Sequence, residues 1–329
     1  MKEPLLRIDD LNVTFGAGFG NRPRVRAVTS LSLEVAPGET LAIVGESGSG
    51  KSVTALSILR LIPEPGRIDT GRILFEGKDL LALDDAGIRS VRGNRIAMIF
   101  QEPMSSLNPV LTIGRQVAEP LRLHRGLKRR KALERAVEHL KSVAIPDAEE
   151  RLGDYPHQFS GGMRQRVMIA MALACHPRLL IADEPTTALD VTVQAQILEL
   201  LKERTREADS ALILITHDLG VVARYADRVA VMYGGRIVES GPAAALYAEP
   251  RHPYTQGLLR SVPRLEGDCG GRLDSIDGQP PDLAALPAGC AFAPRCPQVR
   301  DRCLTAPPLL EARAGGRAWA CYGHEEGAA

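Results

Sequence analysis

The sequence predicts an α/β fold, and three observations carry that prediction. Leu179 to Ala182 and Ala211 to Ile215 are short, continuous apolar runs, the pattern of parallel strands buried on both faces. Thr192 to Arg206, between them, has helical spacing, which makes a strand, crossover helix and strand. Gly45-Glu-Ser-Gly-Ser-Gly-Lys-Ser52 lies between a strand-like run and a helical pattern, so a second strand, loop and helix precede the first.

Taken in order, the chain begins with short β segments at Leu5 to Ile8, Leu31 to Val35 and Leu41 to Val44, separated by Gly, Pro and Asp turns. A helical pattern starts near Val53, and Arg95 to Phe100 reads as another strand. Residues 103 to 158 read as a mostly helical insert, because Ala132, Leu133, Ala136, Val137, Leu140 and Val143 share one helical face. Lys128 to Lys131 at its start reads as a solvated helix face. Arg228 to Tyr233, Gly234-Gly235 and Arg236 to Glu239 predict a β-hairpin turning at the glycine pair. Past residue 262 the composition shifts to Pro, Gly and Cys. The expected organisation is a domain over 1–262 and an extension over 263–329.

The bulk numbers exclude several classes. Of 329 residues, 44% are apolar and 25% charged, as in a folded globular protein. The 41 basic and 40 acidic residues leave a net charge of +1, which argues against a nucleic-acid partner. There is no run of 18 apolar residues, and charges interrupt Met1 to Asp10 where a signal peptide needs an apolar core. The expected compartment is the cytoplasm.

Gly45 to Ser52 fits G-x-x-x-x-G-K-[ST] in the structural context that motif requires. Gly45, Glu46, Ser47, Gly48, Ser49 and Gly50 would turn backbone N–H groups into one concavity, with a helix start adding positive potential. Lys51 would reach the β and γ phosphates, and the Ser52 hydroxyl would take magnesium. A carboxylate at the end of a neighbouring strand is also needed. Asp183 follows Leu179 to Ala182 and fits that magnesium role; Glu184 beside it points elsewhere and fits a general base. An acidic helix start, Asp-Glu-Pro, is the plainer reading of that pair. If the runs containing Ala182 and Ile215 are neighbours, His217 and Gln101 end strands that open onto the same crevice. His217 could then hydrogen-bond the γ phosphate.

Together these residues resemble the ATP-binding subunit of an ATP-binding cassette (ABC) transporter. The match covers about residues 5 to 260, with six motifs in the family's order: Gly45 to Ser52, Gln101, Ser160-Gly-Gly-Met-Arg-Gln165, Leu179 to Glu184, Thr187-Ala-Leu-Asp190 and His217. The resemblance implies a P-loop ATPase with a RecA-like core sheet, an antiparallel β subdomain and a helical insert. It also implies two ATPase domains packed head to tail, with each ATP between one phosphate loop and the partner's signature turn. Ser160, Gly161, Gly162 and Gln165 would then serve the partner's nucleotide, and Asp190 would link the two sites. Gln101 would join the magnesium ligands and sense a membrane subunit. Phe15, upstream of the loop, is the candidate to stack on adenine, although the family more often has tyrosine there.

A narrower resemblance rests on Ile99 to Pro109, Tyr155 to Ser160, Arg251 to Gln256 and the cysteine-containing tail, which are similar to dipeptide and oligopeptide importer ATPases. Nickel and opine importers share much of it, and a soluble ABC ATPase acting on ribosomes or DNA is the rival from another class. The implied partners are two integral membrane permease subunits, a second ATPase subunit, identical or paralogous, and indirectly an extracytoplasmic peptide-binding protein. The implied location is the cytoplasmic face of the cell membrane, as a peripheral subunit.

Six cysteines are present: Cys175 stands alone, and the rest lie in the last fifth of the chain. Cys175 and Cys269 read as structural. Cys290, Cys296, Cys303 and Cys321 have gaps of 5, 6 and 17 residues, without the tight C-x-x-C pair usual for zinc. Three readings stay open: a [4Fe–4S] cluster, which some peptide-importer ATPases carry in this tail; zinc; or a small core of reduced thiols.

Overall fold

The computed structural model describes residues 3–16, 24–101, 106–187, 189–261 and 275–323. The expected boundary at 262/263, Cys269, Ala188 of the Thr187 to Asp190 motif and residues 102–105 lie outside them. Contacts divide the chain into two units, one of residues 1–35, 40–81 and 216–329, the other of residues 36–39 and 82–215.

The first unit opens with β1 (Leu6–Phe15) and β2 (Val25–Val35), both longer than the apolar runs at their ends suggest. Asp10 looks like a turn in sequence. It takes a left-handed conformation (φ 46°) at a register shift that lets β1 continue, as a β-bulge does. Asn12 repairs the interrupted ladder: its Nδ2 donates to the Asp10 carbonyl and its Oδ1 accepts from the Ser30 N–H. Next come β3 (Thr40–Val44), α1 (Lys51–Ile58), β4 (Arg67–Phe75) and β5 (Lys78–Asp79). One antiparallel sheet runs in the order β2-β1-β4-β5.

The second unit holds α2 (Asp85–Val91), β6 (Ile96–Ile99), α3 (Ile113–Arg125), α4 (Arg129–Ser142), α5 (Gly161–Leu173), β7 (Leu179–Asp183), α6 (Val191–Glu207) and β8 (Ala211–Thr216). Ala132, Ala136 and Leu140 of α4 are fully buried, so the apolar periodicity faces the unit's interior. β6, β7 and β8 are parallel neighbours in that order, with Ile99 opposite Ala182 and Asp183 opposite Ile215. Their residues are almost all buried, which is why they carry no polar alternation.

The chain then returns to the first unit with α7 (Leu219–Tyr225), β9 (Arg228–Tyr233), β10 (Arg236–Pro242), α8 (Ala243–Ala248) and α9 (Pro253–Arg260). Gly234 and Gly235 turn the β9–β10 hairpin with positive φ at both residues, as a two-residue type I′ turn requires. The tail adds α10 (Asp301–Thr305), β11 (Glu311–Arg313) and β12 (Arg317–Trp319). Within this unit the strands run β11-β12-β10-β9-β3, with β3 parallel to β9. β12 pairs with β10, and Phe292 packs against Tyr233 and Tyr254 at ring separations of 5.2 and 5.4 Å. Burying one such ring is worth about 2 kcal/mol. The tail is thus part of the first unit's core.

Candidate nucleotide site and its family

The phosphate loop starts where β3 ends, and two of its glycines are required by close backbone. Gly45 has φ 153°, and a Cβ there would lie 2.2 Å from the Met232 carbonyl oxygen. Gly50 has φ 102°, with the Ala27 carbonyl oxygen 2.5 Å from where its Cβ would be. Strand β9 and the hairpin turn thus back the loop, and Gly235 N–H donates to the Ser49 carbonyl. Gly50 caps α1 without a side chain, and the first turn carries no acid. The helix start keeps its positive potential for an anion.

Lys51 is 5% exposed, and its Nζ donates to the Gly45 and Glu46 carbonyls at 2.7 and 2.9 Å. Ser49 is equally buried, and its hydroxyl has no hydrogen-bond partner among the described residues. A buried orphan hydroxyl, a buried ammonium and an uncapped helix start form a donor set suited to phosphate. Ser52 is partly buried in the first turn of α1, where a hydroxyl suits magnesium. Phe15 ends β1, and its ring lies over Gly66, where an added Cβ would come within 2.5 Å of it.

Glu46 is fixed from far along the chain. Its N–H donates to the Tyr254 hydroxyl at 2.8 Å, and its carboxylate accepts both arms of Arg295 at 2.7 and 3.0 Å. Burial raises the Tyr254 phenol above its ordinary range. Sequence reasoning missed Arg295, which no local signal marks because 249 residues separate it from Glu46.

In the second unit Asp183 ends β7 and is 4% exposed. Glu184 leaves the strand with φ 45°, and its N–H donates to the Ile215 carbonyl. A left-handed glutamate is costly and is commonly found where function requires it. The turn separates its direction from that of Asp183, and two donors hold it: Gln101 Nε2 and Thr187 Oγ1, at 2.8 and 2.9 Å from Oε2. Gln101 and Glu184 are thereby brought together. The Thr187 hydroxyl's hold on Glu184 is a role that its place in the Thr187 to Asp190 motif does not by itself mark.

The signature turn is built by local capping. Ser160 is the N-cap of α5 and accepts from Met163 N–H, with Gly161 and Gly162 opening the helix. A Cβ on Gly162 would lie 2.9 Å from Val193 Cγ1. Ser160 and Gly161 are exposed, whereas Gln165 is 1% exposed with its Nε2 unpartnered among the described residues. Asp190 caps α6 by accepting from Val193 N–H and is exposed. His217 follows β8 directly and is exposed.

Cys290, Cys296, Cys303 and Cys321 are all free thiols. Burial pushes the Cys290 thiol up to about 11, with the other three thiols adding repulsion. It raises Cys296 and Cys321 as well, and their sulfurs accept from Gln298 and Gly323 N–H. Among the described residues no group of three or more His, Cys, Asp or Glu is arranged to hold a metal ion. Cys290 packs against Ala293, Cys303 and Tyr322 in a small core. Cys175 is fully buried, and its carbonyl accepts from Arg125.

Residues 28–187 match the family profile described as ABC transporter, and residues 238–303 match that of the oligopeptide/dipeptide transporter C-terminal region. The oligopeptide transport ATP-binding protein OppD of Salmonella typhimurium is 52% identical over 318 residues, covering 97% of this chain and 93% of OppD. The chain belongs to the ABC transporter family. As an ABC ATPase it has a further relative in AppD, the oligopeptide transport ATP-binding protein of Bacillus subtilis, 50% identical over 323 residues with 98% and 97% covered. Among solved structures the ATP-binding cassette MJ0796, a dimer in a post-hydrolysis state bound to ADP and Pi, superposes with a TM-score of 0.64 at 29% identity. It covers 72% of this chain and 98% of its own.

Proposed function

We propose that this ABC ATPase energises the import of di- or oligopeptides across the cytoplasmic membrane. The observation that carries the reading is the joining of the two matches in one chain, the cassette over 28–187 and the peptide-transporter C-terminal region over 238–303. OppD and AppD, which carry oligopeptide transport in their names, align over nearly the whole length. Among the described residues no helix is long and apolar enough to cross a membrane, in keeping with a peripheral subunit working on two permease subunits beside a second ATPase. An extracytoplasmic binding protein would deliver the peptide.

The residues take these roles. Gly45 to Ser52 bind the phosphates of ATP, Lys51 exchanging the loop carbonyls for phosphate oxygens, while Phe15 covers the adenine. Magnesium, when bound, would neutralise phosphate charge; Ser52 is its proposed ligand in the first unit, and Asp183 and Gln101 are the second unit's residues suited to it. Glu184 takes a proton from the attacking water, oriented by Gln101 and Thr187, and His217 donates to the γ phosphate. Ser160, Gly161, Gly162 and Gln165 serve the partner's nucleotide, and the dimeric state of MJ0796 supports a head-to-tail pair with Asp190 at the seam. Closure and reopening of that pair drive the permeases.

Iron and sulfide assays on anaerobically purified chain test whether Cys290, Cys296, Cys303 and Cys321 hold a [4Fe–4S] cluster. The main test is purification of tagged chain from membranes together with uptake of labelled di- and tripeptides in cells lacking it. Two multi-span subunits and an uptake defect are the expected outcome. Recovery with ribosomes, or normal peptide uptake, would overturn the reading.

A further inference from the structure

Glu46 places a carboxylate inside a loop whose other features favour anions. Left alone it would repel the phosphates that Ser49, Lys51 and the start of α1 attract. It is not left alone. Arg295, with a side chain 5% exposed, grips both carboxylate oxygens in a two-armed pair, the arrangement that makes an arginine–carboxylate contact both strong and directional.

The tail holds Arg295 in turn. Its Nε donates to the Asp277 carbonyl at 2.9 Å and one amino group to the Ile276 carbonyl at 3.2 Å, while the other reaches the Tyr233 hydroxyl at 3.3 Å. A short 3₁₀ turn, Ala293–Arg295, carries it immediately after the buried Phe292. The tail thus delivers a fixed positive charge to the second residue of the phosphate loop.

We infer that Arg295 is a positioning residue of the nucleotide site: it neutralises Glu46 and fixes the phosphate loop in its anion-accepting shape, which makes the C-terminal extension a determinant of ATP affinity. The inference rests on the loop's binding ATP and adds the tail to that site. Its kinetic signature follows from charge. The phosphates are negative in both the bound substrate and the transition state, so a freed Glu46 opposes both alike, raising KM while leaving kcat near its original value.

The test uses the full-length chain and ATP with magnesium, measuring equilibrium binding by calorimetry and steady-state hydrolysis, with thermal unfolding without nucleotide as a check on the fold. Arg295→Gln keeps donors for the tail carbonyls and removes the charge. It is expected to weaken ATP about tenfold, with kcat within about twofold. Arg295→Lys, keeping the charge without the fork, should fall between. Adding Glu46→Gln to Arg295→Gln should restore affinity to within about threefold of the parent, because the uncompensated charge is gone. Unchanged affinity in Arg295→Gln would overturn the inference. So would a loss that Glu46→Gln fails to restore, which is the mark of a tail that merely holds the fold. A parent chain that binds no ATP would instead bring down the nucleotide reading itself.

Discussion

In the first unit the phosphate loop is held by groups far along the chain: Tyr254 and Arg295, 208 and 249 residues beyond Glu46, and the β9–β10 turn at Gly235. In the second unit the Ser160 and Asp190 turns are each capped by a side chain bonding three residues onward. Glu184 has one partner three residues away and another on the neighbouring β6 edge. The first arrangement makes a receptive loop depend on the whole unit. The second makes single side chains decisive, and a change there should cost chemistry more than binding. The variants below separate the two, beginning with the greatest expected loss.

Glu184→Gln should lower hydrolysis by about 10² to 10⁴, the usual cost of losing a general base, while ATP binding stays within about twofold because the amide keeps the shape. Single-turnover hydrolysis beside equilibrium binding measures both. Near-normal turnover would remove Glu184 from the role of base.

Gly45→Ala attacks the other unit and should abolish binding. Its Cβ would press on the Met232 carbonyl at 2.2 Å in a conformation alanine avoids, so the loop must move, at about 2 to 4 kcal/mol of stability. Gly48→Ala is the control: nothing lies within 4 Å of its Cβ, leaving only left-handed strain of about 1 to 2 kcal/mol. Thermal unfolding of the pair should rank them in that order. Equal shifts would mean that the β9 backing does not govern the loop.

How much of this was legible in sequence follows the same division. The parallel strands β6, β7 and β8 are continuous apolar runs, and the helix over Val191–Glu207 has a clean period, so local pattern carried them. Gly234-Gly235 marked its own turn. β1 was truncated at Asp9-Asp10, because a bulge satisfied by Asn12 looks like a turn when only neighbours are read. β4 was missed because most of its residues are at least partly exposed and only its end carries a buried apolar pair. The Gly45 to Ser52 loop was legible as a spaced motif; the pairing of Arg295 with Glu46 was not, since it exists only through the tail's return to β9 and β10. The tail thiols were legible as a cluster in sequence, whereas the packing of Cys290 against Cys303 and Tyr322 belongs to the fold.

Gln101→Ala tests the less local of the two Glu184 contacts. Thr187 would still hold Oε2, so the carboxylate loses orientation rather than its charge. A decrease in kcat of about tenfold with little change in KM for ATP is expected. A rise in KM with kcat preserved would assign Gln101 to nucleotide binding instead.

The smallest effect concerns the tail core. The Cys290 thiol is raised from 9.0 to about 11, chiefly by burial. An acid whose folded pKa lies above its unfolded value binds more protons when folded, so its contribution to stability is complete below about pH 9. It falls as pH rises from about 9 to 11, by on the order of 1 to 2 kcal/mol. The neighbouring thiols Cys296 and Cys321 are raised in the same direction, so Cys290→Ala should lessen this alkaline loss rather than erase it. Unfolding midpoints at pH 8, 9.5 and 10.5 for parent and variant measure the difference. Parallel profiles would place Cys290 in contact with solvent. A shallower profile in the variant would place the Cys290 thiol inside the tail core, away from solvent.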